Sequence, residues 1–286
     1  MILVLGATGR IGSELTRQLL AESISVRCLV RDLARAQALL GDGPSLAVGS
    51  LQDVSSLSNA MRDVDAVFIA SPIEPAMAAL QLNAIKAARD SGVARIVKLS
   101  GSDWTMQAAN QTRVGAAHAQ VEAAIVASGL SHALIRPNAF AQTMWASVPA
   151  QVRSQDKFTL AIGSARISFT DVRDIAQVAA VALRQPNIAN GIVAISGPRA
   201  LSGFDLANAV STLLGRTIAY QPLSIEASLT RLQATGESAY VLAHRREVLD
   251  RISAGAAATI SDQTARLLGQ PARDPLAWLA CAIVQR

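Results

Sequence analysis

Seven residues near the start of the chain have the types and spacing to do chemistry. Gly6-Ala7-Thr8-Gly9-Arg10-Ile11-Gly12 follows the apolar run Ile2-Leu3-Val4-Leu5, and the spacing after it predicts a helix over 13–21. Glycine at the first position lets the chain reverse tightly. At the second it lets backbone approach a bound group, and at the third it lets the helix pack on the strand. A strand, a glycine turn and a helix N-terminus in that order aim N–H groups and the positive end of a helix dipole at an anion. The anion this pattern suits is a dinucleotide pyrophosphate. Gly6, Thr8, Gly9, Arg10, Ile11 and Gly12 are the expected contacts. A glycine-rich turn without a ligand is the other reading of the same residues.

The second chemical marker is Arg31, at the end of a strand expected over 25–30. An acid at this place binds the 2′-hydroxyl of NAD, whereas an arginine accommodates the 2′-phosphate of NADP. Arg31 precedes Asp32, so the expected cofactor is NADP, with Arg10 and Arg35 supporting the same charge. An ordinary solvated arginine is the alternative. Asp53 either caps a helix over 55–61 or reaches the adenine amino group. Ser71 and Pro72, Ser100, and Pro137 end strands expected over 65–70, 95–100 and 132–137. They are read as the sheet edge that lines the cofactor.

His118 lies in a helix expected over 114–128, on one face with Val114, Val121, Glu122 and Ile125. Its imidazole is a candidate catalytic proton donor, or a hydrogen-bonding anchor for the cofactor ribose. A packing histidine with Glu122 as its partner one turn on is the third reading. Trp104, Phe140, Met144 and Trp145 are candidate substrate-binding residues, an apolar wall suited to a flat aromatic molecule. The same residues would also serve as a core seam.

The elements that must position these groups alternate. Beyond those above, the pattern predicts helices over 34–40 and 74–91 and a strand over 46–48. That is the order of an α/β, Rossmann-type doubly wound parallel sheet. Residues 107–113 read as a polar surface loop, and 138–165 carry few regular signals. A helix over 175–184, a strand over 192–195, a helix over 202–214 and a strand over 218–220 follow, with helices dominating to 286. The expected organisation is a dinucleotide-binding domain over 1–137 and a smaller C-terminal α/β cap over 138–286, with 166–196 returning to the first part. Thr170-Asp171-Val172-Arg173-Asp174 reads as a helix start with Asp171 or Asp174 at its cap and first turn, not as a catalytic pair.

Composition narrows the classes. Of 286 residues, 51% are hydrophobic and 16% charged, enough for a substantial core and unlike a disordered chain. The net charge of +5 is carried by scattered arginines, for only Lys86, Lys98 and Lys157 are lysines. Such scatter suits anionic small molecules rather than nucleic acid. Cys28 and Cys281 are read as two buried thiols in a reducing cytoplasm, with no disulfide framework. His118, His132 and His244 are too far apart in sequence to suggest a metal site, so no metal is expected. No run is long enough for a membrane span or a signal peptide.

Several further stretches carry a family pattern. They are Leu29-Val30-Arg31-Asp32, Val97-Lys98-Leu99-Ser100, His118-Ala119-Gln120-Val121-Glu122, Ile135-Arg136-Pro137-Asn138-Ala139-Phe140 and Phe169-Thr170-Asp171-Val172-Arg173-Asp174. With the glycine turn, and in this order, they resemble the NmrA-like group of atypical short-chain dehydrogenases/reductases over nearly the whole chain. The resemblance implies an NADPH-dependent reductase of quinone-like or other conjugated aromatic compounds. The alternatives it leaves are a dinucleotide-sensing regulator without turnover, or an oxygenating pathway enzyme of the same fold. One departure matters: where ordinary short-chain dehydrogenases carry Tyr-x-x-x-Lys, this chain reads Val114-Gly115-Ala116-Ala117-His118. His118 stands where isoflavone-reductase-like members carry lysine. A small aromatic substrate, no nucleic acid or membrane partner, and a monomeric or homodimeric cytoplasmic protein complete the expectation.

Overall fold

The computed structural model describes residues 1–185, 187 and 191–284. In chain order, β1 (Ile2–Leu5), α1 (Arg10–Ala21), β2 (Val26–Val30), α2 (Leu33–Leu40), β3 (Ser45–Val48) and α3 (Val54–Ala60) come first. They are followed by β4 (Ala66–Ile69), α4 (Met77–Asp90), β5 (Arg95–Leu99), α5 (Asp103–Met106), α6 (Arg113–Ala127) and β6 (Ser131–Pro137). Next are α7 (Ala141–Met144), α8 (Val148–Gln155), β7 (Lys157–Leu160), α9 (Val172–Arg184) and β8 (Gly191–Ile195). The chain closes with α10 (Gly203–Leu214), β9 (Ala219–Pro222), α11 (Ile225–Gln233), α12 (Ala239–Ser253), α13 (Gln263–Leu268) and α14 (Pro275–Val284). Positions 285–286, at the end of the expected helical tail, lie outside the described residues.

Two compact units share these elements. The first comprises Met1–Gly101, Gly115–Arg136 and Val172–Val193. Its sheet has the order β3-β2-β1-β4-β5-β6-β8, and β1 to β6 run parallel. This is the Rossmann-like order, with β1 beside the central strand β4 and the chain crossing from one side of β1 to the other between β3 and β4. Strands covered on both faces need apolar side chains on both, which explains unbroken runs such as Ile2-Leu3-Val4-Leu5. Register places Leu29, Leu5, Ile69, Lys98 and Leu134 in one row across β2, β1, β4, β5 and β6. Leu29, Leu5, Ile69 and Leu134 join Leu57 of α3, Ala84 of α4, and Val121 and Ile125 of α6 in one core cluster. Lys98 is the single polar member of that row. Helices α1 and α9 pack against each other.

Capping sets where the helices start. Asp32 accepts from the Arg35 N–H at 2.9 Å and begins α2. Asp53 accepts from the Ser55 and Ser56 N–H groups at 3.0 and 3.2 Å and begins α3, so its carboxylate is engaged in capping. Asp174 sits in the first turn of α9, as expected.

The second unit comprises Ser102–Val114, Pro137–Asp171 and the chain from Ala194 on. The segment 102–114, expected in the first part, groups here, because Trp104 packs in this unit's core. The short helix α5 precedes the surface loop expected over 107–113, and a 3₁₀ turn at Ala108–Asn110 occupies the start of that loop. Strands β7 and β9 pair in parallel as a two-stranded sheet. Two expectations are corrected in this unit. Trp145 is fully buried, its ring centroid 4.5 Å from that of Phe169, so it is core and not a substrate wall. Cys281 is exposed: α14 buries Leu279 and Ile283, one turn apart, and Cys281 lies between them on the other side.

The glycine turn is packed to its limit. A Cβ on Gly12 would lie 2.2 Å from the Gly6 carbonyl oxygen, while one on Gly9 would meet only that oxygen, at 3.2 Å. Gly12→Ala is therefore expected to destabilise the fold by about 1–3 kcal/mol, as overpacking does, and Gly9→Ala by clearly less. Urea unfolding of the two variants beside the parent checks this; equal losses would contradict the packing argument.

Candidate active site

The turn after β1 is built for close approach. Gly6 takes φ +78°, and a Cβ there would meet the Ala70 carbonyl oxygen at 2.6 Å. The Gly9 N–H donates to the Gly6 carbonyl at 3.0 Å, which closes the turn directly below α1. Gly9 is the N-cap of α1 and offers no side chain to the first-turn N–H groups. Those groups and the dipole can serve an external phosphate. Ile11 is buried, so only its backbone can take part, and Thr8 is half-buried at the turn.

Charge around the turn is one-sided. Arg10, Arg31 and Arg35 are exposed, and among the described residues none makes an ion pair. Asp32, the acid nearest Arg31 in sequence, holds the N-terminus of α2. The end of β2 therefore offers a guanidinium and no uncommitted carboxylate, a donor set that fits a 2′-phosphate better than a bare ribose. At the end of β4, Ser71 is held by the Gln81 amide of α4, 2.8 Å from its hydroxyl. Gln81 is buried and its carbonyl oxygen has no hydrogen-bond partner.

The ends of β5 and β6 carry a buried charged cluster that the sequence reading did not assemble. Lys98 is completely buried, with Nζ 2.8 Å from His118 Nδ1 and 3.0 Å from the Leu99 carbonyl. Burial pulls its pKa down from 10.5 to about 7, against the pull of the Glu122 carboxylate, which favours the ammonium. Glu122 is not the partner of His118. It accepts from the Ser100 hydroxyl at 2.5 Å, from Arg136 Nε at 3.0 Å, and from Arg136 Nη2. A two-pronged guanidinium outcompetes a monodentate imidazole for a carboxylate, which corrects the expected one-turn pairing. Ser100 thus donates its hydroxyl proton within the cluster. Helix α6 brings both His118 and Glu122 to the sheet, and both partner strands supply a cation.

In the second unit, the Trp104 indole N–H donates to Asn138 Oδ1 at 3.0 Å. Asn138 Nδ2 donates to Ser168 Oγ at 2.5 Å and to the Ala257 carbonyl at 2.9 Å. The Pro137 carbonyl accepts from Ser102 Oγ at 2.6 Å. Phe140 and Met144 are half-buried. Lys98, Arg136, Gln81 and Asn138 are the residues sequence reasoning missed. Lys98 left one trace: a lysine within Ile96-Val97-Lys98-Leu99, in a chain with only three lysines. Among the described residues no group of three His, Cys, Asp or Glu side chains could hold a metal, and no helix is long and apolar enough to cross a membrane.

The model of the NmrA-like family matches residues 1–267. An NAD(P)H azoreductase of Xenophilus azovorans is 30% identical over 273 residues, covering 96% of this chain and 94% of the relative. A (4-alkanoyl-5-oxo-2,5-dihydrofuran-3-yl)methyl phosphate reductase of Streptomyces griseus is 31% identical over 286 residues, covering 98% and 97%. The crystal structure of an Escherichia coli NADPH-dependent quinone oxidoreductase complexed with NADPH aligns with TM-score 0.86 at 23% identity, over 100% of both chains. That likeness establishes the fold.

Burial of Lys98 has a measurable signature. Its folded pKa is depressed to about 7, so between pH 7 and 10.5 the unfolded chain holds a proton that the folded chain does not. Stability then rises with pH through that window, by at most about 1.4 kcal/mol per pH unit from this one group. Below pH 7 both states are protonated and the full burial penalty applies. Urea unfolding from pH 7 to 9 should show this rise in the parent and lose it in Lys98→Met. Above pH 9 Cys28 acts in the opposite sense, because burial raises its thiol from 9.0 to about 11. A parent and a Lys98→Met variant with parallel pH profiles would refute the assignment.

Proposed function

This chain belongs to the NmrA-like family, and from that membership we propose that it is an NADPH-dependent oxidoreductase of quinone-like or other conjugated aromatic small molecules. One observation carries the cofactor half: Arg31 is unpaired beside a glycine turn with an uncapped helix N-terminus, while Asp32 is engaged as a helix cap. In this reading the N–H groups at the start of α1 receive the pyrophosphate, and Gly6, Thr8, Gly9, Arg10, Ile11 and Gly12 form its cradle. Arg31 takes the 2′-phosphate, and Asp53, Ser71, Pro72, Ser100 and Pro137 complete the contacts. The azoreductase and phosphate-ester reductase relatives support the reaction class. NADPH, when bound, supplies the hydride, and the chain's own residues orient, exclude water and hold protons.

His118 is assigned the cofactor ribose. Lys98 holds its Nδ1, and a buried partner of this kind fixes the ring plane. Quinone reduction can draw its protons from water, so the reaction does not demand an acid at this place. Phe140 and Met144 provide apolar surface for a flat acceptor, while Trp104, read from the sequence as part of the same wall, is buried in the core with Trp145.

Fluorescence titration of NADPH and NADH tests the cofactor assignment. Arg31→Ala should weaken NADPH by about 1.5–3 kcal/mol, as loss of a charged hydrogen bond does, and leave NADH unchanged. Tighter binding of NADH by the parent would refute it. NADPH oxidation against a panel of quinones and dyes, with oxygen uptake followed, tests turnover. Binding of NADPH without oxidation by any acceptor would favour a regulatory protein instead. His118→Ala should lower NADPH affinity by about tenfold, near 1.4 kcal/mol, and largely keep turnover at saturating cofactor. A turnover loss of about 10²-fold with affinity intact would make it a general acid.

A further inference from the structure

The second unit encloses an open cavity of about 710 Å³, a size that suits a small organic ligand. Met144, Leu160 and Leu249 give it apolar surface, and Lys157, Arg231 and Arg245 give it three cations. Among the described residues no carboxylate lines it.

The cations are unmatched. Arg231 Nη1 donates to Thr159 Oγ1 at 3.1 Å, and Arg245 Nη1 donates to Met144 Sδ at 3.8 Å. Among the described residues none of the three forms an ion pair. The acids close by in sequence are engaged elsewhere. Asp156, next to Lys157, pairs with Arg216. Glu226, on the same helix as Arg231, pairs with Arg246 at 2.9 Å. Neither Arg216 nor Arg246 lines the cavity. The remaining carboxylate acting on Arg245 is Glu237, which is exposed.

A half-buried guanidinium whose side-chain partner is a thioether, and whose one acting carboxylate is exposed and forms no ion pair with it, loses hydration with little counter-charge in return. Such an arrangement is stabilised when a ligand brings the missing anion, and guanidinium binds oxyanions in a two-pronged geometry. We infer that this cavity binds a small molecule with a flat apolar body and an oxyanion group, held by Arg245 with Arg231 and Lys157. The shared chemistry is that of a sulfonate, a carboxylate or a phosphate monoester. The inference concerns binding and stands whether or not the chain turns over NADPH.

Calorimetric titration of the full chain tests it, after NADP⁺ is titrated first and left saturating so that the anion site of the glycine turn is filled. The probes are 2-naphthyl phosphate, naphthalene-2-sulfonate, 2-naphthoate and the neutral 2-naphthol. The anionic probes should bind at least tenfold more tightly than 2-naphthol, and the three together report which oxyanion is preferred. Arg245→Gln should weaken the anionic probes at least tenfold, with 2-naphthol and NADP⁺ unaffected. Arg231→Gln, at an exposed position, should weaken them in the same direction and decides the matter if Arg245→Gln does not fold. Equal binding of neutral and anionic probes, no binding of any probe, or anion affinity surviving both substitutions would overturn the inference.

Discussion

The ion pair between Glu122 and Arg136 is the interaction on which the rest of the first unit's site depends. Both charges are largely removed from water, and the carboxylate is met by two guanidinium nitrogens and the Ser100 hydroxyl. A buried pair of this kind is weak evidence of stability in itself, because desolvation offsets much of the attraction. Its geometric effect is another matter. Removing one partner would leave an uncompensated charge, so α6 is held in one register against the ends of β5 and β6. His118, one turn before Glu122 on the same helix, is placed by that lock. Lys98 then fits a gap that would otherwise require an apolar side chain, with its amine on the imidazole.

A common pattern governs where the chain is electrostatically open. Carboxylates are engaged at helix N-termini or on neighbouring arginines: Asp32 and Asp53 cap helices, and Asp156 and Glu226 pair with Arg216 and Arg246. Among the described residues, the cations left without an ion pair include Arg10, Arg31 and Arg35 in the first unit and Lys157, Arg231 and Arg245 around the cavity in the second. Exposed ion pairs contribute little to stability, so the pairing matters more for the field it leaves than for folding.

Much of this was legible in the sequence wherever the signal is local. The glycine turn, Arg31 and the strand–helix alternation up to 137 rest on runs of four or more residues with one period, and the parallel order follows from them. The segment 138–165 was not legible: α7 has four residues, α8 starts beside Pro149, and β7 has four. Strand β7 pairs only with the distant β9, so no neighbouring strand–helix unit repeats its pattern. Trp145 misled because a short helix gives no face from which to judge burial. The charged cluster was hidden for a different reason. Lys98 and His118 are 20 residues apart, and Glu122 and Arg136 are 14 apart, so each pair exists through the packing of α6 on the sheet.

The Lys98–His118 contact also constrains what the imidazole can do. With Lys98 as an ammonium, Nδ1 must accept, and the ring is the neutral tautomer carrying its proton on Nε2. With Lys98 neutral, the amine can either donate to Nδ1 or accept from it, so both tautomers become available. Burial pulls the Lys98 ammonium down to about 7, so the constraint it places on the ring relaxes as that proton is lost. A ribose hydroxyl can both donate and accept and would tolerate either tautomer. A developing oxyanion needs the N–H and would tolerate only one. The Lys98 ammonium is thus compatible with both roles, and its deprotonation removes the constraint that keeps the imidazole proton on Nε2.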